Sequence, residues 1–299
     1  MSAMDTASCA AQKESAPTTY PFHHVQGVAN FRDIGGWPIA SSTPKHVRKG
    51  LVFRGGDSIR ITAAGIAKLQ GLNIQTDFDL RSRQQIEKLG VRDLGEWGIT
   101  RVWSPVFGDD EYTEDRARQR YELYASEDPA DTVAAFVEIL TSGASMMATV
   151  VRHVLAAASG PKDGARRAAL FIHCTTGNNR TGVFVSLLLL LLGVPAEHVV
   201  HEYTLSDQGL AATRHVNVER LLKKGAFVEY GPDEARRKCE RMVGARAESM
   251  EALLDEVDRR WGSAEGYFVQ LVGLSADEVA RLRAALTADG PGEPPWSVS

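Results

Sequence analysis

The sequence predicts an α/β fold with an at least partly parallel β-sheet, followed by a helical C-terminal third. Strand and helix signals alternate through the first third of the chain, as in folds whose helices connect parallel strands. Farther along, a short apolar strand signal at 168–173 leads into a polar loop, and an apolar helix signal at 183–192 follows that loop. These observations define the framework into which the other elements are placed.

The first third contains three strand signals and two helix signals. The strand signals lie at 51–53, 74–80 and 99–106. Thr62 can cap a helix that ends at Gly71. Ser82 opens a capping box with Gln85, and Gly90 stops the helix that follows. Each helix therefore has its own local start and stop signals.

The middle and the end of the chain are predicted to be helical. Two stretches without proline, 114–124 and 132–158, favour helices, and Gly143 is the candidate break in the second. Apolar residues at helical spacing between 250 and 261 predict a helix that ends at Gly262. Ser275 and Glu278 form a capping box for a last helix over 276–286.

Composition is that of an ordinary globular protein. The 299 residues include 34 Lys and Arg against 38 Asp and Glu, a net charge of −4, and 43% are hydrophobic. These values exclude a disordered chain and a coiled-coil rod, and give no reason to expect a nucleic-acid partner. We found no repeat and no long linker, so we predict one domain at 21–288 between loose tails at 1–20 and 289–299.

Cysteine usage and hydrophobicity favour a cytoplasmic protein. Cys9, Cys174 and Cys239 are too few and too scattered for a disulfide framework or a zinc site. The first residues lack the basic and apolar regions of a signal peptide, and the longest apolar run, 183–194, is too short to span a bilayer. We therefore expect no stable membrane insertion, no metal and no cofactor.

The loop between the strand signal at 168–173 and the following helix carries the chemistry. Cys174 follows the strand, and Arg180 lies six residues later at the start of the helix. Loop N–H groups and a helix N-terminus attract an anion and favour the thiolate form of a cysteine. Gly177 allows a tight turn, Thr181 can donate to the sulfur, and Arg180 matches the oxygens of phosphate. Together they predict attack by a thiolate on phosphorus.

This loop resembles the signature loop of the cysteine-dependent protein tyrosine phosphatase superfamily. The resemblance implies a phosphate-binding loop of nine residues: His173, Cys174, Thr175, Thr176, Gly177, Asn178, Asn179, Arg180 and Thr181. It also implies that Cys174 forms a phosphocysteine, which water then hydrolyses, while Arg180 stabilises the equatorial oxygens. His173 is expected to orient the loop backbone rather than to act as an acid or base.

Four further segments narrow the resemblance to the bacterial and fungal tyrosine phosphatase family branch. They are NFRDIGG at 30–36, VFRGG at 52–56, DLRS at 79–82 and WGSAEGY at 261–267. That branch includes secreted mycobacterial and listerial phosphatases active on phosphotyrosine and phosphoinositides. The resemblance covers about residues 20–287. It implies a central, mixed and largely parallel sheet flanked by helices, with a helical lid insertion between 114 and 158.

The general acid is an open question in the sequence. Many bacterial members have Lys-Asp where this chain has Asn178 and Asn179, and Asn179 cannot donate the proton that has been proposed for that Asp. The candidates are Asp79, Asp109 and Asp110. We slightly favour Asp109 and Asp110, because their loop follows a strand and could close on a substrate. The favoured alternative for Asp79 is a structural ion pair with a neighbouring arginine.

The substrate is also open. The leading hypothesis is phosphomonoester hydrolysis on phosphotyrosine, on dual-specificity protein substrates or on phosphoinositides. An alternative is a small-molecule phosphate or an isoprenoid diphosphate, which a hydrophobic lid would favour. A non-catalytic phosphate-binding protein is a further alternative, which the missing loop Asp favours and the intact Cys174 and Arg180 oppose. A rhodanese-type or arsenate-handling loop is disfavoured, because such proteins lack the segments at 30–36 and 79–82.

Overall fold

The protein contains two β-sheets. We describe it from a computed structural model, which covers residue 17, residues 19–158 and residues 167–292. The strands are β1 Arg32–Asp33, β2 Pro38–Ile39, β3 Lys45–Val47, β4 Val52–Gly55, β5 Ile74–Asp79, β6 Thr100–Trp103, β7 Ala169–His173 and β8 Thr287–Asp289. The main sheet has the order β1-β4-β7-β5-β6, and β1 alone among these five is antiparallel to its neighbour. The predicted mixed, largely parallel sheet is therefore confirmed.

Helices make up most of the remaining described chain. They are α1 Ala63–Gly71, α2 Arg83–Leu89, α3 Glu114–Ala125, α4 Pro129–Ser142, α5 Ala144–Ala158, α6 Asn179–Leu191, α7 Ala196–Lys223, α8 Pro232–Val243, α9 Ala247–Trp261, α10 Ala264–Gln270 and α11 Ala276–Leu286. Residues of α4, α5, α6 and α9 form much of the largest apolar core. The helical middle and C-terminal third are as predicted from the sequence.

The central strand β7 positions the candidate site. Its five residues are all buried, since β4 and β5 flank it on both sides and apolar layers cover its faces. The carboxyl ends of parallel strands meet at one edge of a sheet, where ligands of α/β proteins bind. In this register Gly55 at the end of β4 and Asp79 at the end of β5 both lie opposite His173. The loop that begins at Cys174 therefore starts at this edge.

Local helix signals predicted the helix ends well. The Thr62 hydroxyl accepts the N–H of Gly65 at the start of α1, and α11 covers the predicted residues, with Ser275 as its cap. The chain also breaks at Gly143, between α4 and α5. A side chain at Gly143 would place its Cβ 2.5 Å from the carbonyl oxygen of Ile139, which explains why a glycine is there.

The second sheet was not predicted. Strands β2, β3 and β8 form it in the order β2-β3-β8, and Lys45 pairs with Asp289. Strand β8 runs one residue beyond 288, the predicted end of the domain. The predicted N-terminal tail at 1–20 lies almost entirely outside the described residues.

Apolar helices occur in this fold, but none in the described ranges is by itself long and apolar enough to cross a membrane. Taken together, α4 and α5 have the length and the apolar composition of a membrane-spanning segment, but the two helices are bent by 61° relative to each other. Most residues of α4, including Phe136, Ile139 and Leu140, are buried in the core.

Candidate active site

The loop from His173 to Thr181, here called the cradle, joins β7 to α6. Cys174 lies at its start and is 3% exposed, and α6 begins at Asn179. Gly177 has φ +70°, and a Cβ there would lie 2.1 Å from the carbonyl oxygen of Gly55. Because the cradle passes so close to the end of β4, this position requires glycine.

The electrostatics of the cradle favour a thiolate. Burial by itself would raise the pKa of Cys174. The positive charge of Arg180, the hydroxyl of Thr181 and the backbone N–H groups of Gly177 and Thr181 outweigh burial, so the pKa of this thiol lies below its usual value. A lowered pKa makes a cysteine a better nucleophile at neutral pH.

The side chain of His173, the first residue of the cradle, supports the cradle backbone. Its Nδ1 lies 3.0 Å from the carbonyl oxygen of Cys174, and its Nε2 lies 3.0 Å from Oδ1 of Asp77. Burial would lower the pKa of His173, but the negative charges of Asp77 and Asp79 raise it to about 9. The ring is therefore a cation at neutral pH, and it holds the loop backbone without reaching the pocket.

A buried network that the sequence analysis missed braces the cradle from the other side. Arg54 on β4 donates to the carbonyl oxygen of Gly177 at 2.5 Å and to Glu202 on α7 at 2.5 Å. Arg32 on β1 binds the other oxygen of Glu202 at 2.7 Å. All three side chains are at most 1% exposed. The sequence signal that could have revealed this network is Glu202 itself, a single acidic residue on the apolar face of α7.

The segment at 30–36 also holds backbone rather than substrate. The side-chain amide of Asn30 donates to the carbonyl oxygen of Thr176 at 3.2 Å. Asp33 accepts the N–H groups of Gly35 at 2.8 Å and of Gly50 at 2.6 Å. Burial raises the pKa of Asp33 to about 6. The motif thus positions the cradle and both ends of the segment that joins β1 to β4.

Arg180 is held at the wall of the pocket by a residue that the sequence analysis treated only as a helix cap. Its Nη1 donates to Oε1 of Gln85 at 2.5 Å, and its Nη2 lies 3.4 Å from the hydroxyl of Thr175. Gln85 also donates to that hydroxyl at 3.3 Å. The first turn of α2 therefore orients the guanidinium towards the cradle.

The pocket over Cys174 has a volume of about 130 Å³. Helix α3, here called the lid helix, contributes Ala117, Arg120, Tyr121 and Tyr124 to its wall. Of the helices predicted to form the lid, α4 and α5 contribute no residue to the described lining. The lid side of the lining combines the rings of Tyr121 and Tyr124 with one guanidinium, that of Arg120.

Asp79 is an ion-pair residue in this structure. It is fully buried and accepts hydrogen bonds from Arg81 at 2.7 and 2.8 Å and from Arg101 at 2.7 and 3.1 Å. Burial would raise the pKa of Asp79, but Arg81, His173 and Arg101 hold it well below its usual range. A carboxylate that stays ionised cannot donate a proton, so the structural alternative for Asp79 agrees with these contacts.

Asp109 and Asp110 do not line the pocket either. They lie in a short 3-10 helix, Asp109–Glu111, and both are exposed. The carboxylate of Asp109 pairs with Arg83 at 2.9 Å, and both side chains are about half exposed. In this structure both carboxylates lie at the surface and not at the thiol, so the preference for this pair stays a prediction that needs a kinetic test. In the described chain, no carboxylate lines this pocket.

The two asparagines of the cradle differ in environment. Asn178 is 2% exposed and donates to the carbonyl oxygen of Gly244 at 2.9 Å. Asn179 is partly exposed and begins α6. Both line the pocket, together with Thr175 and Thr176.

A larger cavity of about 430 Å³ adjoins the pocket across Thr175 and Thr176. Asp57 lies on its wall, and its backbone N–H donates to the carbonyl oxygen of Thr175 at 3.2 Å. Burial raises the pKa of Asp57.

Across the described residues, no group of three or more His, Cys, Asp and Glu side chains could hold a metal ion.

A comparison with known families decides the identity of this site. The model of the family described as "Tyrosine phosphatase family" matches residues 23–288. The chain belongs to the tyrosine phosphatase family. As a member of this family, the protein is a cysteine-dependent phosphatase. The resemblance predicted from the cradle motif is therefore confirmed, and family membership supports an enzyme rather than the non-catalytic alternative.

Named relatives of this phosphatase are bacterial. It is 25% identical over 289 residues to the triple specificity protein phosphatase PtpB of Mycobacterium tuberculosis, covering 87% of this chain and 97% of PtpB. It is 26% identical over 244 residues to a tyrosine-protein phosphatase of Nostoc commune, covering 79% of this chain and 74% of the relative.

Among solved structures, the phosphatase matches P. aeruginosa TpbA at 15% identity and a TM-score of 0.27, covering 73% of this chain and 96% of TpbA. A likeness at that TM-score says nothing about the activity of this chain.

Proposed function

We propose that this phosphatase hydrolyses phosphotyrosine and related aryl phosphates through a phosphocysteine on Cys174. The observation that carries the proposal is a buried thiol of lowered pKa that shares its pocket with Arg180. Phe107, Tyr121 and Tyr124 also line this pocket, and aromatic side chains suit a phenyl ring. The relatives named as tyrosine phosphatases support the same substrate.

The proposed reaction has two displacements at phosphorus. The thiolate Sγ of Cys174 attacks phosphorus, the bond to the phenolic oxygen breaks, and the phenolate leaves with the electron pair and takes a proton from water. A second water then attacks the phosphocysteine. The bond between phosphorus and sulfur breaks, inorganic phosphate leaves and the thiolate is restored. In both steps Arg180 and the cradle N–H groups stabilise the equatorial oxygens.

The lining favours aryl over alkyl leaving groups. A general acid contributes about 10²–10⁴ in rate, and the described lining of this pocket contains no carboxylate that could serve as one. Phenols, with a pKa of about 10, leave more readily without a proton than alkyl alcohols do. Phosphoserine and phosphoinositides are therefore proposed as poorer substrates than phosphotyrosine. They are still included in the test below, because one relative, PtpB, is named a triple specificity phosphatase.

Phosphate release from a substrate panel tests this proposal. The panel contains an aryl phosphate, phosphotyrosine and phosphoserine peptides, phosphoinositides and an isoprenyl diphosphate. Cys174→Ser should abolish turnover, while Cys239→Ser, at the other described cysteine, should retain it. A covalent phosphate on wild type, found by mass spectrometry after acid quenching, would support the phosphocysteine. Turnover that persists in Cys174→Ser would overturn it.

The surface aspartates give a sharper test of the leaving group. Asp109→Asn and Asp110→Asn should each change kcat for the aryl phosphate by less than about twofold, because neither carboxylate lines the pocket. Wild-type kcat should rise steeply as the pKa of the leaving phenol falls. A flat dependence that becomes steep in either variant would identify that aspartate as the general acid.

We also propose that the protein acts in the cytoplasm on a phosphorylated molecule rather than on nucleic acid. The sequence composition supports this location. Fractionation of cells that express the native gene would test it, and recovery in the secreted or membrane fraction would contradict it.

A further inference from the structure

One buried cation in the pocket has a donor without a partner. Arg120 on the lid helix is 5% exposed and lines the pocket over Cys174. Its Nε donates to Glu138 at 2.6 Å, but its Nη1 is buried and has no hydrogen-bond partner. An unsatisfied buried donor destabilises the folded protein, and more so when it is charged. A ligand that accepted this hydrogen bond would remove that cost.

The guanidinium of Arg120 is fixed in place before any ligand arrives. Its Cζ lies 3.8 Å from the ring centre of Phe107 and 5.9 Å from that of Tyr112. Stacking holds the flat face of a guanidinium and leaves its edge, with the N–H groups, available for hydrogen bonding. Glu138 occupies Nε, and its own side chain is 48% exposed. The free donor is therefore presented at a defined position.

The charge of the pocket favours more than one anionic group. Arg120, Arg180 and Arg220 line it, whereas the described lining contains no carboxylate. Arg180 belongs to the cradle, where the proposed function places the phosphate that is hydrolysed, and Gln85 holds its guanidinium at 2.5 Å. Burial raises the pKa of Tyr124, and the charges of Arg180 and Arg120 both oppose that rise. The positive charges of both guanidinium groups therefore act on the Tyr124 hydroxyl.

We propose that Arg120 forms a second anion subsite beside the cradle, so that the preferred substrate carries a second anionic group next to the scissile phosphate. The pocket volume of about 130 Å³ keeps the two groups close together. A second phosphate joined to the first, or a phosphate or carboxylate on a neighbouring peptide residue, has the required chemistry. This inference rests on the proposed function, because it takes the cradle as the site of the first phosphate.

Binding of inorganic anions tests the subsite independently of turnover. Calorimetry on Cys174→Ser would measure the affinities of orthophosphate and of methylenediphosphonate, a diphosphate analogue that cannot be hydrolysed. We expect the diphosphonate to bind more tightly. In the double variant with Arg120→Gln, the ratio of the two affinities should fall by about tenfold, the value of one charge-assisted hydrogen bond.

Two variants provide matched controls. Arg118 lies on the same lid helix, pairs with Glu229 and is 68% exposed, so Arg118→Gln should leave the ratio unchanged. Glu138→Gln removes the negative charge beside Arg120 but keeps an amide oxygen that can accept from Nε, so most of the ratio should remain. A fall in the ratio with Glu138→Gln as large as that with Arg120→Gln would show that the ion pair acts through lid packing, and would overturn the proposal.

The remaining outcomes are equally decisive. Equal affinities of orthophosphate and diphosphonate for the protein with Arg120 intact would overturn the subsite, and this measurement needs no variant at Arg120. Arg120→Lys keeps the charge but loses the planar donor, so it should lose part of the ratio. If wild type hydrolyses no substrate while the ratio behaves as expected, the proposed function fails and the subsite stands.

Kinetics would identify the source of the second anion. The value of kcat/KM would be compared between wild type and Arg120→Gln for an isoprenyl diphosphate, a doubly phosphorylated peptide, a phosphotyrosine peptide with a neighbouring Glu, and the same peptide with Gln. The substrate whose kcat/KM falls about tenfold more than that of the Gln peptide carries the group that Arg120 binds. A uniform fall across all four would overturn the subsite.

Discussion

The two walls of the active-site pocket are built by different means. Buried contacts between charged side chains hold the cradle, including those of His173 with Asp77 and of Arg54 with Glu202. The lid helix is held to the neighbouring segments by more exposed ion pairs, such as Arg118 with Glu229. Exposed pairs contribute little stability, whereas breaking a buried pair is costly. The cradle is therefore held more firmly than the exposed side of the lid helix, whereas Arg120 on the buried side of that helix is fixed by Glu138 and Phe107.

The largest effect on stability should come from the buried acid beneath the cradle. Glu202→Gln leaves Arg32 and Arg54 buried without a counter-ion, which should cost about 3–5 kcal/mol of unfolding free energy. Glu197→Gln, at an exposed position of the same helix, is the control and should change little. Urea unfolding measures both. Equal stability of the two variants would remove the contrast between the walls.

Arg180→Lys should produce the next largest effect, on the chemical step. Lysine keeps the charge but loses the planar pair of donors that face the phosphate oxygens, so kcat should fall by about 10²–10³. Single-turnover kinetics with an aryl phosphate would show whether the loss lies in formation of the phosphocysteine. The Tm of this variant should stay close to that of wild type, because Arg180 is partly exposed. A normal kcat would contradict the role proposed for the cradle arginine.

The charged His173 predicts how cradle stability depends on pH. Its pKa is about 9 in the folded state and about 6.5 when unfolded, so the folded state binds this proton more tightly. The stabilisation is complete below pH 6.5 and is lost as the pH rises through 9, by up to about 3 kcal/mol.

A variant at the main partner of His173 tests this assignment. Asp77→Asn should flatten the dependence of unfolding free energy on pH in the window between 6.5 and 9, although the charges of Asp79 and Asp57 also act on the ring. An equal slope in wild type and Asp77→Asn would show that another group titrates there. Urea unfolding at several pH values provides the comparison.

The smallest effect should come from the lid. Arg118→Gln breaks an exposed ion pair with Glu229 and should lower the unfolding free energy only slightly. High salt should remove the difference from wild type, because exposed charges are screened. A larger or salt-insensitive loss, measured by urea unfolding, would show that the lid is held as firmly as the cradle.

The sequence alone determined the features that depend on neighbouring residues. Helix caps such as Ser275 for α11 and the break at Gly143 were predicted because the signals lie within one turn of the helix ends. The cradle motif predicted the strand, the loop and the helix together, because anion binding needs its donors in one short loop. The resemblance to the family followed from these residues and from the segments at 30–36, 52–56, 79–82 and 261–267, and the family match over 23–288 confirms it.

Only the tertiary structure decided which distant residues complete the site. Gln85 and Arg120 reach the cradle or its pocket directly, and Glu202 acts on it through Arg54, but no local signal in the sequence shows that their three helices meet there. The same holds for the positions of the candidate acids. Asp109 looked suitable as part of a mobile loop, but Arg83 holds it at the surface. Short-range geometry can be predicted from a motif, whereas charge pairing across the core depends on the complete packing of the chain.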